Sequence, residues 1–252
     1  MLYGILVVSA VIFLCILANK FSDKFGMPTL ILFMFIGMLF GSDGIVKIPF
    51  DNYELAERVC SIALIFIMFY GGFNTKWKLA RPVAARAVLL STVGVAITAG
   101  VTAVLCHFVL RFSMAESFLI GAVLSSTDAA SVFSILRQKK LNLKDGTASL
   151  LEMESGSNDP MSYMLTVIGI GLVGAGETGN IAWNIFSQLT FGSLVGIVFA
   201  IATILILTKT NVVTDGLDTI FMIAAVLFCY AASELAGGNQ YLSVYFMGII
   251  IG

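Results

Sequence analysis

At 252 residues, 59% of them hydrophobic and 12% charged, the chain falls well short of the roughly one-quarter charged residues of an ordinary soluble domain. It has too little polar material to clothe a water-facing surface, and a mean hydropathy of +1.00 places it in a membrane. The net charge of −1 excludes the basic footprint of a nucleic-acid-binding protein, so no nucleic-acid partner is expected.

A bilayer crossing needs about 20 mostly apolar residues. Such runs occur near 2–19, 27–44, 56–73, 84–110, 115–136, 148–175, 182–208 and 217–236. A ninth begins at Tyr241 and is cut short at Gly252, so an all-α, multi-span helical bundle truncated after about 8–9 spans is expected. The first run lacks a basic leader and a small-residue cleavage site, and reads as a membrane span rather than a signal peptide. Cys15, Cys60, Cys106 and Cys229 lie singly in apolar runs, which suggests neither a disulfide framework nor a metal site. His107 falls near the outer end of the fourth span, where a packing role is expected.

The loops after odd-numbered spans hold eleven basic residues: Lys20, Lys24, Lys76, Lys78, Arg81, Arg86, Arg137, Lys139, Lys140, Lys144 and Lys209. The remainder of the chain holds three, Lys47, Arg58 and Arg111. The bias orients those loops to the cytoplasm and the N-terminus outside, in a multi-pass protein of the cell membrane.

Three acids do not sit in loops. Asp128 lies within the fifth run, in SSTDAAS, and Glu154 and Asp159 lie within the sixth, in ESGSNDP, with Glu152 nearer the membrane edge. Each charged residue at a helix centre costs about 2.5–3.5 kcal/mol on insertion scales, and such acids mark ion or proton pathways by default. Positions 128 and 159 are equidistant from Leu143–Lys144, near the middle of the basic loop RQKKLNLKDG. Antiparallel spans would therefore carry both carboxylates to about the same depth, on the order of 15–20 Å from the cytoplasmic end. Ser and Thr compete with helical hydrogen bonds, so SSTDAAS reads either as an interrupted helix that turns carbonyls toward an ion or as a close small-residue crossing.

Spacing sorts the sixth span into two faces, Ser155 with Asp159 and Glu154 with Asn158. With Thr127 and Asp128 opposite, the result is an oxygen-rich site suited to a hard cation. Pro160 frees a backbone carbonyl near Gly156. A carboxylate that binds either a proton or a cation supplies competition between them, and exchange needs no further chemistry.

STDAASVF followed by ESGSNDP resembles the bacterial NhaP-type branch of the monovalent cation–proton antiporters, and within it the potassium/proton antiporters. IPFDNYELA, FYGGF and the closing GIIIG are similar to that branch as well. The resemblance implies a thirteen-span bundle of two inverted repeats with crossed broken helices and a homodimer interface. Residues 1–252 would then be an exchanger transmembrane domain incomplete at its C-terminus. It implies Asp159 as the carrier of K⁺ or Na⁺ and H⁺ in turn, Asn158 as its partner in one-for-one exchange, and Thr127, Asp128 and Ser155 as further ion ligands. Glu154 would be structural, bonded to Asn158 and to an arginine beyond residue 252. Tyr70 departs from the pattern, since relatives often carry an acid there. No cofactor is implied.

Two other readings belong to different classes. A cation channel would favour rings of carbonyls or carboxylates from several subunits, whereas this chain gathers its acids on one hairpin. An intramembrane aspartyl protease could use Asp128 and Asp159 as an acid/base pair, but no GxGD surrounds either residue.

Overall fold

The structure, a computed structural model, describes residues 2–25, 29–75, 77–127, 143–174, 180–209 and 216–252, and over these it is built from helices alone. In chain order they are α1 (Leu2–Phe25), α2 (Thr29–Phe40), α3 (Tyr53–Phe73), α4 (Ala84–Leu110), α5 (Met114–Val123), α6 (Thr147–Val173), α7 (Ile181–Lys209), α8 (Asp218–Leu235) and α9 (Gln240–Ile251). A four-residue helix, Trp77–Ala80, lies between α3 and α4. One wide π-turn, Leu90–Gly94, is built into α4.

Local chemistry sets the ends. Asn52 opens α3 by accepting from Leu55 N–H at 2.9 Å, and Asn239 opens α9 by accepting from Leu242 N–H at 2.9 Å. Left-handed Arg111 (φ 59°) closes α4, and the His107 ring packs there with Nδ1 2.8 Å from the Phe112 carbonyl oxygen. Two residues later Ser113 and Glu116 form a reciprocal capping box, with Ser113 N–H donating to the Glu116 carboxylate at 3.0 Å, and α5 begins.

Among the described residues, α1, α3, α4, α7 and α8 are long and apolar enough to cross a membrane. The sequence-based expectation was eight crossings. At 27 residues α6 has the length, but polar residues fill its first half. Helices α2 and α5 are shorter than their apolar runs, at 12 and 10 residues. The part of the fifth run beyond Thr127, with Asp128 and most of the basic loop, lies outside the described residues.

The chain forms two compact units. The first includes Met1–Arg58, and the second is Val59–Thr127 with Lys144–Gly252. In the first, α1 and α2 pair as a hairpin, fastened where the hydroxyls of Ser22 and Thr29 meet at 2.8 Å.

Packing in the second unit relies on small residues, as it must where apolar surface gains little by leaving lipid. One cluster joins α4, α5 and α6 through Val95, Ala99, Ala122 and Leu165. Gly121 of α5 lies directly on the α4 backbone, so a Cβ there would run into the Ala99 carbonyl and stand 3.1 Å from Ala103 N. A second cluster joins α3, α7, α8 and α9 through Ile65, Met68, Ala200, Val226, Cys229, Tyr241, Val244 and Met247. There Gly248 of α9 meets α3, and a Cβ would come within 2.9 Å of Phe73 N. Outward faces carry exposed apolar side chains such as Phe108, Val198 and Phe228, suited to lipid.

Substituting Gly121→Val forces α4 and α5 apart. It should destabilise the fold by about 1–3 kcal/mol, read as a lowered melting temperature of the detergent-solubilised protein. Gly100→Ala, on an open face of α4 with no neighbour within 4 Å, should not lower the melting temperature, since alanine is the better helix former.

Candidate functional site

The end of α5 starts the site. The Ala122 carbonyl accepts from Ser125 N–H at 3.3 Å, from the Ser125 hydroxyl at 2.7 Å, and from the Ser162 hydroxyl of α6 at 2.7 Å. These three donors take the oxygen that a continuing helix would offer to residue 126, and the helix gives way to a turn at Leu124–Ser125. Helix α5 thus ends as SSTDAAS begins, and Ser126 and Thr127 follow in non-helical backbone; the rest of that stretch lies outside the described residues.

Both residues reach α6. The Ser126 hydroxyl donates to Asp159 Oδ1 and lies 3.4 Å from Asn158 Oδ1. The Thr127 hydroxyl meets Ser155 Oγ at 3.1 Å and accepts from Asn158 Nδ2. Within α6, Asn158 Nδ2 lies 3.3 Å from Glu154 Oε1, and Ser155 Oγ donates to Glu154 Oε2 at 3.3 Å. Ser155 and Asn158 are buried, while Asp159 and Glu154 are half-buried and Thr127 is exposed.

Of the residues singled out from sequence, Thr127, Glu154, Ser155, Asn158 and Asp159 come together in one network. Asp128 lies outside the described residues. The two faces inferred from spacing do not stay separate. Thr127 bonds to one residue of each face, Ser126 does the same, and Ser155 turns back to Glu154. Helical spacing alone misses this, because the cross-links come from hydroxyls on a non-helical segment.

Ser126 is the residue that sequence reasoning passed over, although it lay within the SSTDAAS motif. Tyr70 is 61% exposed on α3 and makes none of the cluster's hydrogen bonds among the described residues. Helix α6 runs unbroken through Pro160. Since proline has no N–H, the Gly156 carbonyl loses its usual partner one turn back, and the Tyr245 ring of α9 rests against Gly156.

The arrangement offers a carboxylate, a carboxamide and three hydroxyls at a helix break, with a second carboxylate one turn away. Such a set of hard oxygens can hold a proton or a small hard cation and gives a soft metal no specific ligand.

Comparison with known proteins identifies the family. Residues 8–252 match the family model described as sodium/hydrogen exchanger, transmembrane. The chain is 36% identical over 252 residues to the K(+)/H(+) antiporter NhaP of Alkalimonas amylolytica, covering 98% of this chain and 43% of that protein. It is 35% identical over 240 residues to the K(+)/H(+) antiporter NhaP2 of Shewanella baltica, covering 94% of this chain and 41% of that protein. The chain thus spans less than half the length of these curated relatives. The fold matches that of the sodium proton antiporter MjNhaP1 from Methanocaldococcus jannaschii, with a TM-score of 0.81, 24% identity, and coverage of 98% of this chain and 61% of that one. These relatives are named as transporters rather than enzymes, which sets aside the protease reading. The chain belongs to the sodium/hydrogen exchanger transmembrane family, as a multi-pass membrane protein.

Proposed function

We propose that the chain is part of a secondary antiporter that exchanges a monovalent cation for protons, with Asp159 carrying each in turn. The observation that supports this best is the hydroxyl and carboxamide set gathered around Asp159 where α5 breaks. The match over residues 8–252 supports reading residues 1–252 as part of one exchanger transmembrane domain.

Exchange follows from one carboxylate with two mutually exclusive partners. A cation entering the site repels the proton from Asp159, and a returning proton removes the charge that held the cation. Ser155, Thr127 and Asn158 supply oxygen ligands or hold them in place, and Asp128, next to Thr127 in the sequence, adds a second charge. Glu154 acts as a brace, accepting from Asn158 and Ser155. K⁺ is the preferred cargo in this reading, since the relatives at 35–36% identity are named K(+)/H(+) antiporters. Na⁺ is the alternative, after the Na(+)/H(+) antiporter 1 of M. jannaschii at 25% identity. The protein would work as a homodimer in the cell membrane, with its basic loops in the cytoplasm.

The test is dye-monitored exchange by the full-length protein in vesicles, titrating K⁺, Na⁺ and Li⁺ against pH. Asp159→Asn should abolish cation-dependent proton movement, and unimpaired exchange would remove the carrier role. Thr127→Val keeps the shape but deletes the hydroxyl shared by Ser155 and Asn158. It should raise the apparent cation KM about tenfold, the worth of roughly one hydrogen bond, and Thr127→Ser should raise it less. Glu154→Gln should lower folded yield and melting temperature more than apparent cation affinity; the reverse order would count against a bracing role.

A further inference from the structure

Asn239 is fully buried at the start of α9, and it is engaged on every side. Its backbone N–H donates to the Gln188 carbonyl of α7 at 2.9 Å, and its own carbonyl accepts from Ser243 N–H at 3.1 Å. Its side-chain oxygen accepts from Leu242 N–H at 2.9 Å, capping α9. One arm remains, and it crosses to α6: Nδ2 donates to the Pro160 carbonyl at 3.1 Å.

That carbonyl belongs to the residue next to Asp159. It follows a turn already short of one ladder bond, because Pro160 offers no N–H to Gly156. The α6 backbone is therefore held by fewer of its own bonds where the carboxylate must be aimed. An outside donor fixed to α7 and α9 adds a tether to the main chain at this point. Neighbouring contacts run along the same seam: Gln240 Nε2 donates to Tyr163 OH at 3.1 Å, the Tyr163 and Tyr241 rings meet edge-on at 4.9 Å, and Ser157 Oγ donates to Tyr245 OH at 3.3 Å. Among these four links, only the one from Asn239 grips the α6 main chain.

We propose that Asn239 is a positioning residue for Asp159, its carboxamide setting the rotation of the Asn158–Pro160 turn against Ser126 and Thr127. The role rests on the reading of Asp159 as the carrier. Bonds that support a site from behind act by holding its ligands in register, and a small loss of register is costly.

The experiment uses the full-length protein in proteoliposomes, with melting temperature followed in detergent. Asn239→Ser keeps an oxygen to cap α9 but is too short to reach Pro160, and Asn239→Thr likewise keeps the capping oxygen without the long donor arm. Both should melt within a few degrees of the wild type. Both should raise the apparent KM for K⁺ about fivefold or more, the loss of one buried hydrogen bond's worth of alignment. Both should also displace the pH profile of exchange, with the maximal rate falling less than KM rises. An unchanged KM and pH profile in either folded variant overturns the proposal, as does loss of fold in both, which would make Asn239 purely structural. Asp159→Asn is assayed in parallel. Exchange by that variant removes the carrier reading itself, whereas an inactive Asp159→Asn beside wild-type behaviour of Asn239→Ser removes the positioning role alone.

Discussion

A helix that ends within a packed membrane protein must find hydrogen-bond partners for its last carbonyls inside the protein. The end of α5 meets this demand at the Ala122 carbonyl, which takes donors from Ser125 twice and from Ser162 once. Everything at the candidate site depends on that closure. Because the carbonyl is satisfied, the chain can leave the helix at Leu124 and present Ser126 and Thr127 to α6. Because Ser162 is one of the donors, the break is pinned to the helix that carries Asp159. A continuous α5 would spend these backbone groups on its own ladder.

The second unit uses two kinds of contact. Close backbone crossings at Gly121 and Gly248 bring α4 to α5 and α3 to α9 with nothing but small residues between them. Such crossings are dry and depend on shape. The contact from α9 to α6 runs through polar groups instead: Asn239 to the Pro160 carbonyl, Gln240 to Tyr163, and Tyr245 to Ser157. Polar links are directional and can fix the rotation of a helix more tightly than a smooth apolar face. This suits α6, whose proline leaves one rung of its ladder unmade beside Asp159.

Much of this was legible beforehand. The fourth span was read at 84–110, where α4 lies, and the seventh at 182–208 against Ile181–Lys209, because long unbroken apolar runs admit little else in a membrane. The end of α5 falls where Ser and Thr begin to cluster, a stretch the sequence alone left open between an interrupted helix and a close small-residue crossing. The short span of α5 was harder to read, since its first apolar residues carry straight on into the motif that ends it. The links that tie the two faces of α6 together were hidden for a related reason. Helical spacing places residues on their own helix but says nothing of hydroxyls that arrive from a non-helical partner.

The sequence by itself determined that this is a multi-span membrane protein, and acids within apolar runs, where hydrocarbon would penalise charge, pointed to the segment of the candidate site. Only the tertiary structure decided which groups surround Asp159. Ser126 bonds to it from across the break, Thr127 spans Ser155 and Asn158, and Asn239 holds the next carbonyl from a position 80 residues later in the chain. Hydrogen bonds have short reach and strict direction, so these partnerships exist only once the helices are packed. A linear pattern can say which residues are polar, and it takes the packed fold to say which of them meet.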